Sequence, residues 1–299
     1  MKQFNDITII GIAQGNGNMK TANTIFPTAI TAYDTAPMFK GDVLEYGGKF
    51  YRVGEGHKGF VADKSTDGDF YLLTLAAIAK ELEQYRLFTA RLCLSVGLPL
   101  SWVGSQRESF RQYLMQNETI RFRFNGNLFQ LRIVGCKVYP QGYAAIVQQL
   151  ADFEGEHLLA DIGNGTMNLL YLTDSQPQES RCWTEKLGVN QCMIRAKEAV
   201  LRRFGSKISD STVEQILRTG TAKIDADYLA CIREVASGYV AELFAALRSY
   251  EYDPATTHLI IVGGGGQLVK HFGSYDTEQV TIVDDICAAA KGYEYKANR

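Results

Sequence analysis

The sequence lacks the features that would assign it to a membrane, secreted or DNA-coating class of protein. Its apolar runs are short, and the one near the start has only about seven residues, too few for a membrane span or a signal-peptide core. The formal net charge is -2, so no excess of basic residues favours direct binding to DNA. With 299 residues, 46% hydrophobic and 21% charged, we expect a soluble globular protein of two domains.

Cysteine patterns typical of metal sites or disulfides are also missing. The six cysteines are scattered without a C-x-x-C pair, and no histidine stands at ligand spacing from them. This favours free thiols in a reducing cytoplasm over zinc sites or disulfide bonds. No linker or low-complexity tract separates the two halves near residues 151–156, which favours two closely apposed α/β domains.

Two similar glycine-rich turns are the most informative feature that is present. The tripeptide Gly-Asn-Gly occurs at residues 15–17 after the apolar run 7–13, and again at residues 163–165 after the apolar run 157–162. Glycines at the tip of a hairpin let a ligand approach the backbone N–H groups, because no Cβ blocks the way. Two such hairpins facing each other would hold the phosphates of one nucleotide from both sides.

The first turn alone is a weak signal. It fits neither G-x-G-x-x-G nor a P-loop, because Lys20 occupies the position of the third glycine. Lys20 is a candidate cation for a β- or γ-phosphate, and it equally fits a solvated lysine. An ordinary tight hairpin would explain the turn as well.

The second turn carries a candidate acidic group. Asp161 ends a hydrophobic strand, where a carboxylate is costly to bury unless it has a partner. It could hold the water shell of a Mg²⁺ ion or orient an attacking water, and the alternative is a plain turn aspartate. The hydroxyl of Thr166 is a further candidate phosphate ligand.

Two other segments favour a ligand site. A short apolar strand over residues 258–262 runs into the four glycines 263–266 and then a helix, so that backbone could pack flat against a base or ribose. Gln141 follows residues 138–140 and has a neutral side chain that could orient a water, although a polar residue at a helix start is the simpler interpretation.

Periodicity and turn chemistry predict the following elements. Hairpins are expected around residues 47–48 and 125–126, the latter an Asn-Gly turn. Helices are expected over residues 71–87, 105–116, 141–153, 190–204, 211–218, 225–250 and 285–296. The helix at 105 rests on a capping-box pattern of Ser105 with Glu108. Other strands are expected over residues 23–32, 90–98, 166–172 and 280–283.

Taken together, four stretches resemble the actin, sugar-kinase and chaperone-ATPase superfamily, and within it the ParM/StbA-type actin-like ATPases that segregate plasmids. The stretches are residues 15–23, 139–144, 161–168 and 262–266. The resemblance implies an α/β fold, namely the two-domain actin-like (ribonuclease H-like) ATPase fold with a nucleotide cleft between the domains. Domain I would comprise residues 1–152 with the C-terminal helix 285–299 returning to it, and domain II residues 153–284.

The resemblance also implies roles for individual residues. The residues that would bind the nucleotide are Gly15, Asn16, Gly17, Asn18, Lys20, Gly163, Asn164, Gly165, Thr166, Gly263, Gly264, Gly265 and Gly266, the last four beside the adenosine. Gln141 would position the hydrolytic water, and Asp161 would act in catalysis and hold Mg²⁺.

The implied activity is hydrolysis of ATP, with GTP as an alternative, coupled to self-assembly into filaments that move plasmid DNA in the bacterial cytoplasm. Such proteins reach DNA through an adaptor bound to a centromere-like site, in agreement with the lack of a basic patch here. Residues 35–40 and 57–67 are candidate polymer contacts, and they equally fit ordinary surface.

One position departs from the family pattern. The family usually has an acidic residue where this chain has Ala13, and an alanine cannot help to hold a hydrated metal ion. Turnover is therefore expected to be impaired, whether Ala13 is an engineered change or a natural variant. Two other functions remain open from the sequence: a small-molecule kinase of the same fold, and a nucleotide-binding regulator without hydrolysis.

Overall fold

The computed structural model describes residues 1–39, 41–55, 61, 63–150 and 153–298. Its internal contacts divide the chain into two compact units, Met1–Gln149 with Cys287–Arg299, and Leu150–Ile286. Parts of the two candidate polymer loops lie outside the described residues, namely positions 40, 57–60 and 62.

The described residues form fifteen strands and eight α-helices. The strands are β1 (Lys2–Phe4), β2 (Ile7–Gln14), β3 (Asn18–Lys20), β4 (Ile25–Pro27), β5 (Ile30–Tyr33), β6 (Val43–Tyr46), β7 (Lys49–Val53), β8 (Thr89–Leu98), β9 (Thr119–Phe124), β10 (Asn127–Pro140), β11 (Glu156–Ile162), β12 (Met167–Thr173), β13 (Gln176–Glu185), β14 (His258–Val262) and β15 (Val280–Ile282). The helices are α1 (Gly68–Glu83), α2 (Leu100–Leu114), α3 (Tyr143–Ile146), α4 (Val189–Phe204), α5 (Asp210–Thr219), α6 (Ala226–Ser249), α7 (Gly265–Phe272) and α8 (Ala288–Ala297). A 3-10 helix over Lys64–Thr66 precedes α1.

The first unit is built on a ten-stranded sheet. Its strand order is β4-β3-β2-β8-β10-β9-β6-β7-β5, with β1 paired to β2. The central strands β2, β8 and β10 run parallel. The apolar runs of β2 and of the second half of β8 are buried, whereas β10 alternates buried and exposed residues. Helix α1 packs there because it is apolar on nearly every face, which only a buried helix tolerates.

The second unit is built on a five-stranded sheet of order β13-β12-β11-β14-β15. Strands β11, β14 and β15 run parallel, while β12 and β13 are antiparallel additions. Helices α4, α5, α6 and α7 supply the other side of its core, with buried side chains that include Val200, Ile216 and Tyr239.

Most predicted elements are confirmed, including both hairpins. Residues 47–48 and 125–126 all have positive φ, as the tight turns between β6 and β7 and between β9 and β10 require. The mixed α/β fold class is likewise confirmed.

Two predicted helices are wrong in extent, and the strands β1 and β13 were missed. Helix α2 begins at Leu100 directly after Pro99, so Ser105 lies inside it and donates to the Trp102 carbonyl instead of capping. Helix α3 is a single turn, Tyr143–Ile146, where a helix over residues 141–153 was expected; positions 151 and 152 lie outside the described residues. Strand β13 was missed because its residues are polar and half-exposed on both faces.

Candidate functional site

The two glycine turns share one backbone arrangement. In the hairpin of β2 and β3, the Gly15 N–H donates to the Asn18 carbonyl at 3.1 Å. In the hairpin of β11 and β12, the Gly163 N–H donates to the Thr166 carbonyl at 2.8 Å. Each turn is therefore closed by the same bond between its first glycine and the residue three positions later.

The strand registers extend this equivalence to the flanking side chains. Ala13 pairs with Lys20 across the first hairpin, and Asp161 pairs with Asn168 across the second. Ala13 and Asp161 thus occupy the same position, two residues before the first glycine. The second hairpin has a carboxylate where the first has a methyl group.

In the first turn, the carbonyls of both glycines accept hydrogen bonds from Thr28. Thr28 donates its N–H to the Gly17 carbonyl at 2.9 Å and its hydroxyl to the Gly15 carbonyl at 2.7 Å. Within the described part of the chain, the N–H groups of Asn16 and Gly17 meet no acceptor. The turn therefore has two backbone donors left for a ligand.

In the second turn, the start of α4 supplies the donors that Thr28 supplies in the first. The N–H groups of the first two residues of α4 donate to the carbonyls of Gly163 at 3.0 Å and Asn164 at 2.9 Å. Gln191 Nε2 donates to the Gly165 carbonyl at 3.2 Å. No acceptor for the N–H groups of Asn164 and Gly165 is found among the described residues. This turn also has two donors left over.

Asp161 lies beside the glycine run that follows β14. It pairs in parallel register with Val262, so the next residue, Gly263, lies at the same edge of the sheet. Gly263 has φ +87°, and a Cβ there would lie 2.7 Å from Asp161 Oδ1. The absence of a side chain at Gly263 therefore leaves space around the carboxylate.

The four glycines do not all share one explanation. A Cβ on Gly265 would lie 2.2 Å from Cγ2 of Ile162, and one on Gly266 would lie 3.0 Å from Cγ2 of Ile282. Close packing of α7 on the sheet accounts for these two, whereas Gly264 is exposed. Contact of all four glycines with an adenosine stays a prediction.

Gln141 lies at the same sheet edge as the first turn. Ile12, Val96 and Val138 share one row across the parallel strands β2, β8 and β10, so the ends of these strands meet at one edge. Only β8 separates Gln141 from the first turn, which places their backbones roughly 10 Å apart. Gln141 Nε2 donates to the Gly97 carbonyl at 3.2 Å, and this bond orients the side chain.

Lys20 is half-buried on β3, opposite Ala13. Among the described residues, no carboxylate lies within salt-bridge distance of its ammonium group. Its charge is thus not neutralised by a described neighbour.

Sequence reasoning missed the groups that support the hairpins. Glu81 on α1 is fully buried and accepts from the Thr21 hydroxyl and from Asn23 Nδ2, each at 2.6 Å. A glutamate within the apolar run of α1 was a usable signal, because a buried carboxylate needs partners. Nothing in the local sequence marked Thr28, whose role depends on a contact across 13 residues.

The donor set for a metal ion is sparse. No group of three or more His, Cys, Asp or Glu side chains suited to a metal occurs in the part of the chain that the structure describes. Asp161 alone still suits a hydrated Mg²⁺, which commonly uses one or two carboxylates together with substrate phosphates. Among the described helices, none has the length and hydrophobicity needed to cross a membrane.

Within the first unit, the structure brings Gln141 to the edge that carries residues 15–20. Within the second unit, it brings Asp161 and residues 163–166 beside the glycines 263–266. Each unit therefore has one hairpin with spare N–H donors and one further predicted site segment.

Residues 11–143 match the family profile described as the N-terminal domain of actin-like proteins. No curated protein matches the chain in sequence. This part of the chain is thus similar to the N-terminal domain of actin-like proteins.

Solved structures of actin homologues share the whole fold. The archaeal actin homologue Ta0583, solved with ADP, is 18% identical with a TM-score of 0.75, over 97% of this chain and 99% of that one. Bacillus thuringiensis ParM with ATP is 12% identical with a TM-score of 0.71, over 98% of each chain. The Alp12 filament structure gives 16% identity and a TM-score of 0.69, over 98% of each chain. The predicted actin-like fold and the resemblance to ParM-type proteins are confirmed.

Proposed function

We propose, from this actin-like fold, that the chain binds ATP at its two hairpins and polymerises into filaments in a nucleotide-dependent way. The observation that carries the proposal is the repeated turn, in which the glycine carbonyls are bonded to protein donors while two N–H groups have no acceptor among the described residues. Such paired backbone donors are a common phosphate-binding device. The archaeal homologue solved with ADP, the ParM with ATP and the Alp12 filament support this assignment.

The hairpin residues have distinct roles in this proposal. The N–H groups of Asn16 and Gly17 in one turn, and of Asn164 and Gly165 in the other, donate to phosphate oxygens. The ammonium group of Lys20 offsets phosphate charge. The hydroxyls and carbonyls around the turns hold these donors in place, so little reorganisation accompanies binding.

Asp161 is the residue that would hold Mg²⁺, through the water shell of an ion carried by the phosphates. The space left by Gly263 beside Asp161 Oδ1 is suited to such a hydrated group. The ion would supply positive charge to the phosphate oxygens.

Gln141 is the proposed positioning group for the hydrolytic water. Its amide nitrogen is held by the Gly97 carbonyl, so its side-chain oxygen is oriented to accept a hydrogen bond from water. A neutral amide does not take the proton, which passes to phosphate or solvent.

The biological setting follows from the ParM resemblance. We propose filament-driven plasmid segregation in the bacterial cytoplasm, with DNA reached through a centromere-binding adaptor and GTP as an alternative to ATP. A net charge of -2 is compatible with an indirect contact to DNA.

The test is sedimentation and electron microscopy with ATP, ADP or no nucleotide, alongside calorimetric titration of each nucleotide. We expect filaments above a critical concentration with ATP. Lys20→Ala should weaken ATP binding and polymerisation, while Lys49→Ala, an exposed lysine in the β6–β7 hairpin, should change neither. Protein that binds ATP yet stays monomeric would refute the filament role, as expected for a kinase; absence of nucleotide binding would refute the proposal altogether.

A second candidate is a nucleotide-binding filament or regulator that does not hydrolyse. It is favoured by Ala13, which gives the first hairpin no carboxylate opposite Lys20. Phosphate release measured at saturating ATP separates the two candidates.

A further inference from the structure

A buried lysine lies directly behind the first hairpin turn. Lys64, in the 3-10 helix before α1, is 4% exposed, and its ammonium group donates to the carbonyl of Gln14. Gln14 is the last residue of β2, so its carbonyl belongs to the peptide group that leads into Gly15. The ring of Phe70 lies 5.5 Å from the same ammonium group.

This charge has no counterion among the described residues. The ionisable groups on or flanking its own helix and the two helices packed against it are Asp63, Asp67, Asp69, Tyr71, Lys80, Glu81, Glu83, Arg107, Glu108, Arg111 and Tyr113. None of their carboxylates forms a salt bridge with Lys64. Burial lowers the pKa of Lys64 from 10.5 to about 8.

An unpaired buried ammonium is unfavourable for folding, since a methionine would fill the same space without the desolvation cost. The hydrogen bond to a single carbonyl does not compensate for that cost. A group that destabilises the fold at a specific place suggests a role in binding.

We propose that Lys64 is a positioning residue for bound nucleotide, whose positive charge stabilises the phosphates held by the first hairpin. The Gln14–Gly15 peptide group lies between the ammonium and the turn, with its carbonyl directed at the charge. In a site shielded from water the attraction between ammonium and phosphate is stronger than at the surface. The inference rests on the proposed nucleotide binding.

Lys64 differs in role from Lys20. Lys20 stands on the hairpin itself and is open to direct contact with a phosphate, whereas Lys64 acts from behind the backbone. Phosphate binding must stabilise the protonated form of Lys64, so ATP uptake near pH 8 draws a proton from solution.

The test compares the full-length protein with Lys64→Met and with Lys137→Met. Lys137 is an exposed lysine that also donates to a carbonyl, that of Ala297, and serves as the matched control. Calorimetry at pH 7, 8 and 9 gives the ATP affinity, and titration at pH 8 in two buffers of different ionisation enthalpy gives the protons taken up.

We expect wild-type affinity to fall roughly tenfold from pH 7 to pH 9, with proton uptake at pH 8. Lys64→Met should bind ATP about tenfold more weakly at pH 7, without that pH dependence or uptake, and Lys137→Met should match the wild type. Equal affinities and pH profiles for wild type and Lys64→Met would overturn the inference alone.

Two further outcomes are decisive. If Lys64→Met does not fold, the wild-type profile tests the inference, because flat affinity and no proton uptake between pH 7 and pH 9 contradict it. Wild-type protein that binds no nucleotide would overturn the proposed function and this inference together.

Discussion

The two hairpins are closed by the same backbone hydrogen bond, but the side chains that flank them carry opposite charges. Both close with a bond from the first glycine to the residue three positions later, and both engage their carbonyls with protein donors. The first is flanked by the cations Lys20 and Lys64, and the second by the carboxylate of Asp161. In the proposed site, the backbone of each turn would bind phosphate, and the flanking side chains would supply the charges that differ between the turns.

The hairpins also differ in what supports them. The second turn is bonded to the start of α4, a helix of 16 residues, through three carbonyls. The first turn is bonded to single residues, Thr28 and Lys64. A change at the second turn is therefore expected to move or destabilise a helix, whereas a change at the first should remain local.

The largest expected effect comes from removing the negative charge of Asp161, which has no equivalent in the first hairpin. Asp161→Asn keeps the shape and should lower ATP hydrolysis on the order of 100-fold, because the group proposed to hold the metal shell is lost. Steady-state phosphate release measures this. Asp174→Asn, beyond the far end of β12, is the matched control and should leave the rate unchanged. Equal rates for Asp161→Asn and wild type would remove Asp161 from the mechanism.

The next effect concerns the cation behind the first hairpin. The pKa of Lys64 is about 8 in the folded protein and 10.5 for an ordinary lysine, so the unfolded chain binds more protons between these values. The cost to folding is fully present below pH 8 and disappears as the pH rises to 10.5. Lys64→Met should therefore raise the free energy of unfolding by up to about 3 kcal/mol at pH 7.

Urea unfolding at pH 7 and pH 10 measures this difference. The gain over the wild type should shrink as the pH rises, since the folded wild-type protein then no longer holds a buried ammonium group. A variant less stable than wild type at pH 7 would show that the Lys64 hydrogen bond stabilises the fold and that burial of the charge costs little.

A smaller effect is expected from disturbing the contact between the second turn and the start of α4. A Cβ on Gly188, just before α4, would lie 2.3 Å from the Asn164 carbonyl oxygen, so Gly188→Ala should destabilise the protein by about 2 kcal/mol. Gly238→Ala, in open space within α6, should instead stabilise it by up to about 1 kcal/mol. Thermal unfolding of both variants provides the measurement. Equal melting temperatures would mean that the second turn tolerates movement of α4.

Local sequence predicted the hairpins and most strands for clear physical reasons. Asn-Gly and Gly-Gly pairs adopt positive φ at little cost, and short apolar runs between them have few alternatives to a strand. The repeated Gly-Asn-Gly turns, each following an apolar run, therefore predicted hairpins from neighbouring residues alone. The same reasoning placed Asp161 at a strand end, whereas Gln141 was expected at the start of a helix and instead directly follows β10.

Long-range contacts account for what the sequence did not reveal. Thr28 and Gln191 support the turns from distant parts of the chain, and no local pattern marks them. The predicted start of α2 was wrong because the capping pattern at Ser105 was given more weight than Pro99. A proline fits the first turn of a helix without losing a hydrogen bond. Lys64 was missed because a single lysine before a helix normally lies in solvent.

The smallest expected effect comes from making the first hairpin resemble the second. Ala13 occupies the position equivalent to Asp161 and is half-buried opposite Lys20. Ala13→Asp should raise the rate of ATP hydrolysis, by roughly tenfold, because a second carboxylate would help to place the hydrated metal ion. Phosphate release at saturating ATP is the measurement.

Ala13→Asn separates charge from size, since it adds the same number of heavy atoms without the negative charge. It should leave the rate at the wild-type level if charge is what the first hairpin lacks. An unchanged or lower rate for Ala13→Asp would count against a metal-shell role at this position. In that case the new carboxylate would pair with Lys20 and remove a cation from the phosphates, so ATP affinity should fall as well. Rate and affinity together therefore decide whether the asymmetry of the two hairpins limits turnover or serves nucleotide binding.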